Sequence, residues 1–258
     1  WSVLKFAARK RTSAATIARS LGAYGAMGAA ILGGIAYAKV TGKERRAVDF
    51  ISSSGFDAAL AIAGIDVETV GEHNLWTHRP AVFVINHQSK LDFYVMFTLL
   101  RRGFTGVAKK EAENTPGFKT FLKMAEMAFV DRSDTSKAIE ALKPAVDRLK
   151  RGLSICIAPE GTRSYSPQLG RFKKGAFHIA MQAGVPIVPV VIRNAGELMT
   201  RSELAMRPGK VQVAVLPAID VSKWKVEELD KRIEGVRKLY LDTLENWPTK
   251  KKLRKRGK

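Results

Sequence analysis

The chain opens on a long stretch of small and apolar positions and then alternates short apolar runs with amphipathic ones. Residues 20–38 run for 19 positions without a charge, a length that just spans a bilayer. They are rich in Gly and Ala (Gly22, Gly25, Gly28, Gly33, Gly34) rather than Leu and Phe, and small residues at this spacing favour a closely packed neighbouring helix. Residues 49–65 supply that neighbour, with Phe50, Ile51, Phe56, Leu60 and Ile62 at helical spacing. From residue 65 the pattern changes. Short β-branched runs bounded by Gly, Pro and polar residues predict strands at 66–70, 81–85, 106–108, 127–130, 153–157, 187–193 and 211–216. Between them, apolar positions at helical spacing predict helices at 93–101, 118–125, 136–150, 176–183 and 226–247, with Pro144 expected to bend or divide the third.

Strands alternating with helices at this pitch predict an α/β fold, a mostly parallel central sheet covered by helices, preceded by an N-terminal two-helix membrane-associated segment. The expected organisation is a helical hairpin over residues 1–64, a catalytic domain over 65–248 and a basic tail over 249–258. The hairpin is read as an anchor whose removal leaves a more soluble domain. Basic residues ahead of the apolar stretch, with Ala36-Tyr37-Ala38 at its end, also match a signal peptide with its cleavage site, which is the alternative reading of this region.

Charge adds a partner class. Forty-four Lys and Arg against 24 Asp and Glu give a formal net charge of +20, an excess that draws a protein toward anionic surfaces. Nucleic acid and acidic lipid both fit that number. Residues 250–258 hold seven basic residues and no acid, and each basic residue near an anionic membrane contributes about 1 kcal/mol of attraction. Basic residues flank the apolar stretch on both sides, at Lys5 to Arg19 and at Lys39, Lys43, Arg45 and Arg46. That favours a hairpin or interfacial anchor with both ends cytoplasmic over a single span. The lone Cys156 lies in an apolar run and reads as a small core residue, which excludes an internal disulfide. With four His and one Cys at no ligand spacing, no metal is expected.

Two apolar runs end in polar turns that carry chemistry. The first is Asn86-His87-Gln88-Ser89-Lys90-Leu91-Asp92, directly after the strand at 81–85. Residues five apart on one helix point about 140° away from each other, so His87 and Asp92 can pair only if His87 precedes the helix and Asp92 lies inside it. Asp92 would then accept the Nδ1 proton, fix the tautomer and stabilise an imidazolium, which makes His87 a candidate general base. The alternative is a helix-capping histidine beside a surface aspartate. The second turn is Ala158-Pro159-Glu160-Gly161-Thr162-Arg163, after the strand at 153–157. Parallel strands end at one sheet edge, where ligands collect, so both turns can face one crevice. Arg163 offers a planar fork for phosphate, and Gly161 lets backbone approach a ligand. Arg132, Lys109, Lys173 and Lys174 are further basic positions in or after short apolar segments, each open to a surface reading as well.

Together, in this order and spacing, these segments resemble the glycerolipid acyltransferase family, whose best known members are the 1-acyl-glycerol-3-phosphate acyltransferases. Asn86-His87 through Asp92 matches the family's NHxxxxD block and Glu160-Gly161-Thr162-Arg163 its EGTR block. Lys109 through Phe129-Val130-Asp131-Arg132 resembles the block ending in arginine, and Val185-Pro186-Ile187-Val188-Pro189-Val190 the proline-containing strand. The likeness covers about residues 65–220, with Ala158 standing where many members carry phenylalanine. It implies an acyltransferase with acyl-CoA as co-substrate and no other cofactor, lysophosphatidic acid as acceptor, and phosphatidic acid as product. It also implies His87 and Asp92 as the catalytic pair, and Lys109, Arg132, Glu160, Gly161, Thr162 and Arg163 as substrate-binding residues. The implied location is a cell membrane on its cytoplasmic face, in contact with anionic lipid. One rival keeps the chemistry on glycerol-3-phosphate or another lysophospholipid. Another is a non-catalytic basic protein that binds membrane or nucleic acid. Charge alone gives that rival no reason for these motifs, and nucleic-acid-binding signatures are not apparent, so no nucleic acid is expected.

Overall fold

The computed structural model describes residues 12–109, 118–130, 140–162 and 168–248. Helix α1 (Ala14–Thr41) begins at a Ser13 cap, whose hydroxyl accepts the Thr16 N–H. It ends at Gly42, in the left-handed region. The chain returns through α2 (Glu44–Phe50), a π-helical segment at Ile51–Gly55 and α3 (Phe56–Ala63). There follow β1 (Ile65–Val70), α4 (Asn74–Thr77), β2 (Val82–Ile85), α5 (Leu91–Leu100), β3 (Phe104–Lys109), α6 (Lys119–Met124) and β4 (Ala128–Val130). The remainder is α7 (Lys143–Lys150), β5 (Ser154–Ile157), α8 (Gly175–Ala183), β6 (Ile187–Arg193), α9 (Ala195–Leu198), β7 (Gly209–Val215) and α10 (Leu229–Glu245). Pro144 sits in the first turn of α7, where its missing N–H has no helical partner to lose. Residues 136–139 of the expected helix lie outside the described residues.

One seven-stranded sheet has the order β1-β7-β6-β2-β5-β3-β4. The sheet is parallel from β6 to β4, antiparallel between β6 and β7, and parallel again between β7 and β1. This is the mostly parallel sheet that the sequence predicts. Five strands therefore deliver their carboxyl ends to one edge.

The period of two along a strand divides the core. Phe83 and Ile85 of β2 join a cluster with α3, α5 and α6, whereas Val82 and Val84 join one with α7, α8 and α10. Both faces are covered, which is why the central strands are continuously apolar. Tyr240 of α10 is fully buried and links two central strands, accepting the Val190 N–H at 3.2 Å and donating to the Val84 carbonyl.

The first cluster does not stop at residue 64. Phe56, with no exposed surface, lies among Phe93, Tyr94, Phe97 and Phe121, with ring centroids between 4.6 and 6.1 Å away. The boundary expected between an N-terminal hairpin and a separate domain thus falls inside one hydrophobic core. Helix α1 lies outside α3 and buries only a narrow stripe, Thr16, Ser20, Ala23, Met27, Ile31, Gly34 and Ala38. The close packing expected of its glycines is realised at Gly34, where a Cβ would stand 2.7 Å from Ile51 Cγ1. Gly34→Val should therefore destabilise the chain by about 1–3 kcal/mol through overpacking. Gly33→Ala, facing open space, should be neutral or slightly stabilising. Thermal melts of the two variants check this.

Candidate active site

The catalytic candidate is built from the turn between β2 and α5. Helix α5 begins at Leu91, so His87 precedes it and Asp92 sits in its first turn. The pair closes, with His87 Nδ1 2.8 Å from Asp92 Oδ2. The same oxygen accepts the Gln88 N–H at 2.8 Å and the Ser89 N–H at 2.9 Å, so the aspartate is fixed by main chain before it meets the histidine. Its side chain is 1% exposed and that of His87 27%. An oxygen engaged this way makes Nδ1 the donor and leaves Nε2 as the ring's proton acceptor.

The turn is anchored from three sides. Asn86 is buried and exchanges two bonds with β6, its Nδ2 donating to the Ile192 carbonyl at 2.8 Å and its Oδ1 accepting the Ile192 N–H at 2.7 Å. Ser89 is buried too, its hydroxyl donating to the Met199 carbonyl and accepting the Leu91 N–H. The third anchor is Glu160, beyond the end of β5. Its Oε1 accepts the His87 N–H at 2.7 Å and its Oε2 the Gly170 N–H at 2.9 Å. Burial raises the Glu160 pKa, against the two N–H bonds that favour its charged form. The two sequence turns therefore meet directly, through a carboxylate bonded to backbone with both oxygens.

Gly161 has φ +75°, a conformation that a side chain would strain, and Thr162 beside it is exposed. Arg132 and Arg163 lie outside the described residues. Lys109 closes β3 at the same sheet edge, its side chain outside what is described. Lys174 forms an exposed ion pair with Asp230 of α10 at 2.8 Å, and Lys173 is exposed. Cys156 packs against the first core cluster, and burial with Asp92 nearby pushes its thiol up to about 12. Among the described residues no three His, Cys, Asp or Glu side chains converge as metal ligands would.

Sequence reasoning did not single out Ser89, Gly170 or Arg237. Arg237 of α10 donates to the Gly170 carbonyl at 3.0 Å and to the Leu169 carbonyl at 3.1 Å, holding the segment that Glu160 clasps from the other side. A serine inside NHxxxxD is visible in the sequence, but its partner, Met199, lies 110 residues away.

Comparison with known proteins gives one family. The family described as Acyltransferase matches residues 66–193. The chain is 33% identical over 206 residues to a 1-acyl-sn-glycerol-3-phosphate acyltransferase of Saccharomyces cerevisiae, covering 79% of this chain and 68% of that one. It is 34% identical over 174 residues to the enzyme of that name from Cocos nucifera, covering 67% of this chain and 56% of the relative. The chain thus spans between 56 and 68% of the length of these relatives. The crystal structure of the 1-acyl-sn-glycerophosphate (LPA) acyltransferase from Thermotoga maritima superposes with a TM-score of 0.73 at 24% identity, over 89% of this chain and 97% of that one, and shares its fold.

Proposed function

The chain belongs to the acyltransferase family, and from that premise we propose that it transfers a fatty acyl group from acyl-CoA to the free hydroxyl of lysophosphatidic acid, giving phosphatidic acid. The observation that carries the reading is the His87 Nδ1 to Asp92 Oδ2 bond of 2.8 Å, with Asp92 buried and His87 open to one side. His87 Nε2 takes the proton of the acceptor hydroxyl as that oxygen attacks the thioester carbonyl. Asp92 stabilises the imidazolium that results. Backbone N–H groups of the turns are suited to the tetrahedral oxyanion. Its collapse breaks the C–S bond, and the departing CoA thiolate recovers the proton from His87 as free thiol. No acyl-enzyme is formed.

Arg132 and Arg163 are assigned to the acceptor phosphate, and Glu160 to holding the catalytic turn as well as the loop that follows. The working location is the cytoplasmic face of a membrane, where charged acyl-CoA in solution meets a lipid acceptor. Helix α1, at 28 residues, is long and apolar enough to cross or lie in that membrane. The basic residues at both ends of the chain supply attraction to anionic lipid.

Thiol release from palmitoyl-CoA against lysophosphatidic acid, glycerol-3-phosphate and lysophosphatidylcholine tests the function. Lysophosphatidic acid should give the fastest release, and no release with any of the three would sink the reading. Arg132→Ala and Arg163→Ala should each raise KM for the phosphorylated acceptor roughly ten- to a hundredfold, since a lost charge-assisted bond costs about 1.5–3 kcal/mol. Unchanged kinetics in both would make those arginines structural.

A further inference from the structure

We propose that the segment joining α9 to β7, residues 199–208, forms part of the surface that meets the bilayer, with Leu204 entering the lipid beside the first half of α1. The inference rests on the membrane reading above and adds a second contact, next to the catalytic turn. Leu204 is 62% exposed although the segment around it is tightly held. Met199 and Met206 are almost completely buried. The Leu204 carbonyl accepts the Tyr24 hydroxyl at 2.7 Å, and the Met206 N–H donates to Ser20 Oγ at 2.9 Å. Both partners are on α1, one turn apart. An apolar side chain left in water by a segment so firmly bonded is held there by design of its backbone, not by looseness.

The neighbouring surface identifies the occupant. Ile17 and Leu21, one turn apart on the adjoining face of α1, are 49% and 67% exposed. The apolar strip continues along the helix to Leu32, 69% exposed, within the uncharged stretch between Arg19 and Lys39. An uncharged helical stretch about 28 Å long matches a hydrocarbon layer better than the compact, rimmed patch of a protein contact. The acid of the segment does not oppose anionic headgroups as a free charge. Glu203 is bonded to Arg207 at 2.6 and 3.0 Å, which holds its carboxyl down to about 2 and keeps the two charges paired. At its other end the segment is bonded to the active site, because the Met199 carbonyl takes the hydroxyl of Ser89, two residues from His87. Lipid contact at Leu204 therefore places the catalytic turn beside the bilayer surface, where a lipid acceptor presents its hydroxyl.

The test uses the full chain with Leu204→Cys carrying an environment-sensitive nitrobenzoxadiazole fluorophore, and Val226→Cys, 59% exposed on the opposite side of the sheet, as reference. Labelling of the unsubstituted protein corrects for Cys156. With vesicles of mixed neutral and anionic phospholipid, the probe at 204 should shift to the blue and be quenched by nitroxides on the acyl chains, while the probe at 226 stays unchanged. In parallel, Leu204→Glu should raise KM for bilayer-embedded acceptor about tenfold, the order expected for losing one buried leucine. Its rate on a short-chain acceptor dissolved as monomer should be unaltered. A probe at 204 that reports water while the vesicles carry the protein overturns the inference, and so does an equal loss on both acceptors. The fluorescence needs no turnover, so a chain without acyltransferase activity would sink the proposed function and leave this result readable.

Discussion

Replacing His87 by alanine should lower thiol release by about three to four orders of magnitude while circular dichroism and melting temperature stay near those of the parent. The fold should survive because the truncated side chain is partly exposed and the His87 N–H bond to Glu160 belongs to the main chain. Near-parental turnover would sink the mechanism. Asp92→Asn is expected to be harsher than a disturbed tautomer alone. Asp92 Oδ2 accepts three bonds, whereas Oδ1 is buried with no partner among the described residues. An asparagine must either bury its NH2 at the Oδ1 position, where nothing accepts, or turn it against three donors. Two buried unsatisfied N–H groups cost about 1–3 kcal/mol of stability, on top of a turnover loss of about two to four orders of magnitude. A variant that is slow but melts like the parent would show that Asp92 acts on the histidine alone.

Removal of residues 1–64 should abolish cooperative folding, against the expectation from sequence that it frees a soluble domain. Truncating a buried Phe to Ala costs about 3–5 kcal/mol, a large share of the 5–15 kcal/mol by which domains are usually stable. The deletion takes away Phe56 together with Ile51, Ala59 and Leu60, and bares the rings of Phe93, Phe97 and Phe121. Phe56→Ala in the full chain is the graded version and should lower the denaturation midpoint accordingly. A soluble chain beginning at Ile65 that melts cooperatively within a few degrees of the parent would refute the shared core.

The strands around the site were legible because buried parallel strands read as unbroken apolar runs, as Val82–Ile85 does. The His87 and Asp92 pairing was legible because it is local, five residues within one turn. What was hidden depends on partners distant in sequence. No local pattern says that β7 runs antiparallel to β6, since a strand's periodicity is the same in either direction. Helices α4 and α9, at four residues each, are too short to show a period. The motif resemblance assigns Glu160 to substrate, and only the assembled sheet reveals the two N–H groups that its oxygens hold. The depth to which α3 enters the core was hidden because apolar residues lie on both sides of residue 64, and pattern alone does not say which of them touch.

The place of β2 in the sheet also sets a schedule. Its neighbours, β5 and β6, pair through Ile155 and Ile187, and Tyr240, which bonds to its Val84 carbonyl, is 156 positions from that residue. Contacts of such long separation form late, because the loops they close must first lose their freedom. On the ribosome the apolar α1 emerges well before the strands that will flank His87. With α1 as the anchor proposed above, the nascent chain gains the means to meet a bilayer before it gains an assembled site, and a block to late strand pairing should leave the anchor formed and His87 unplaced.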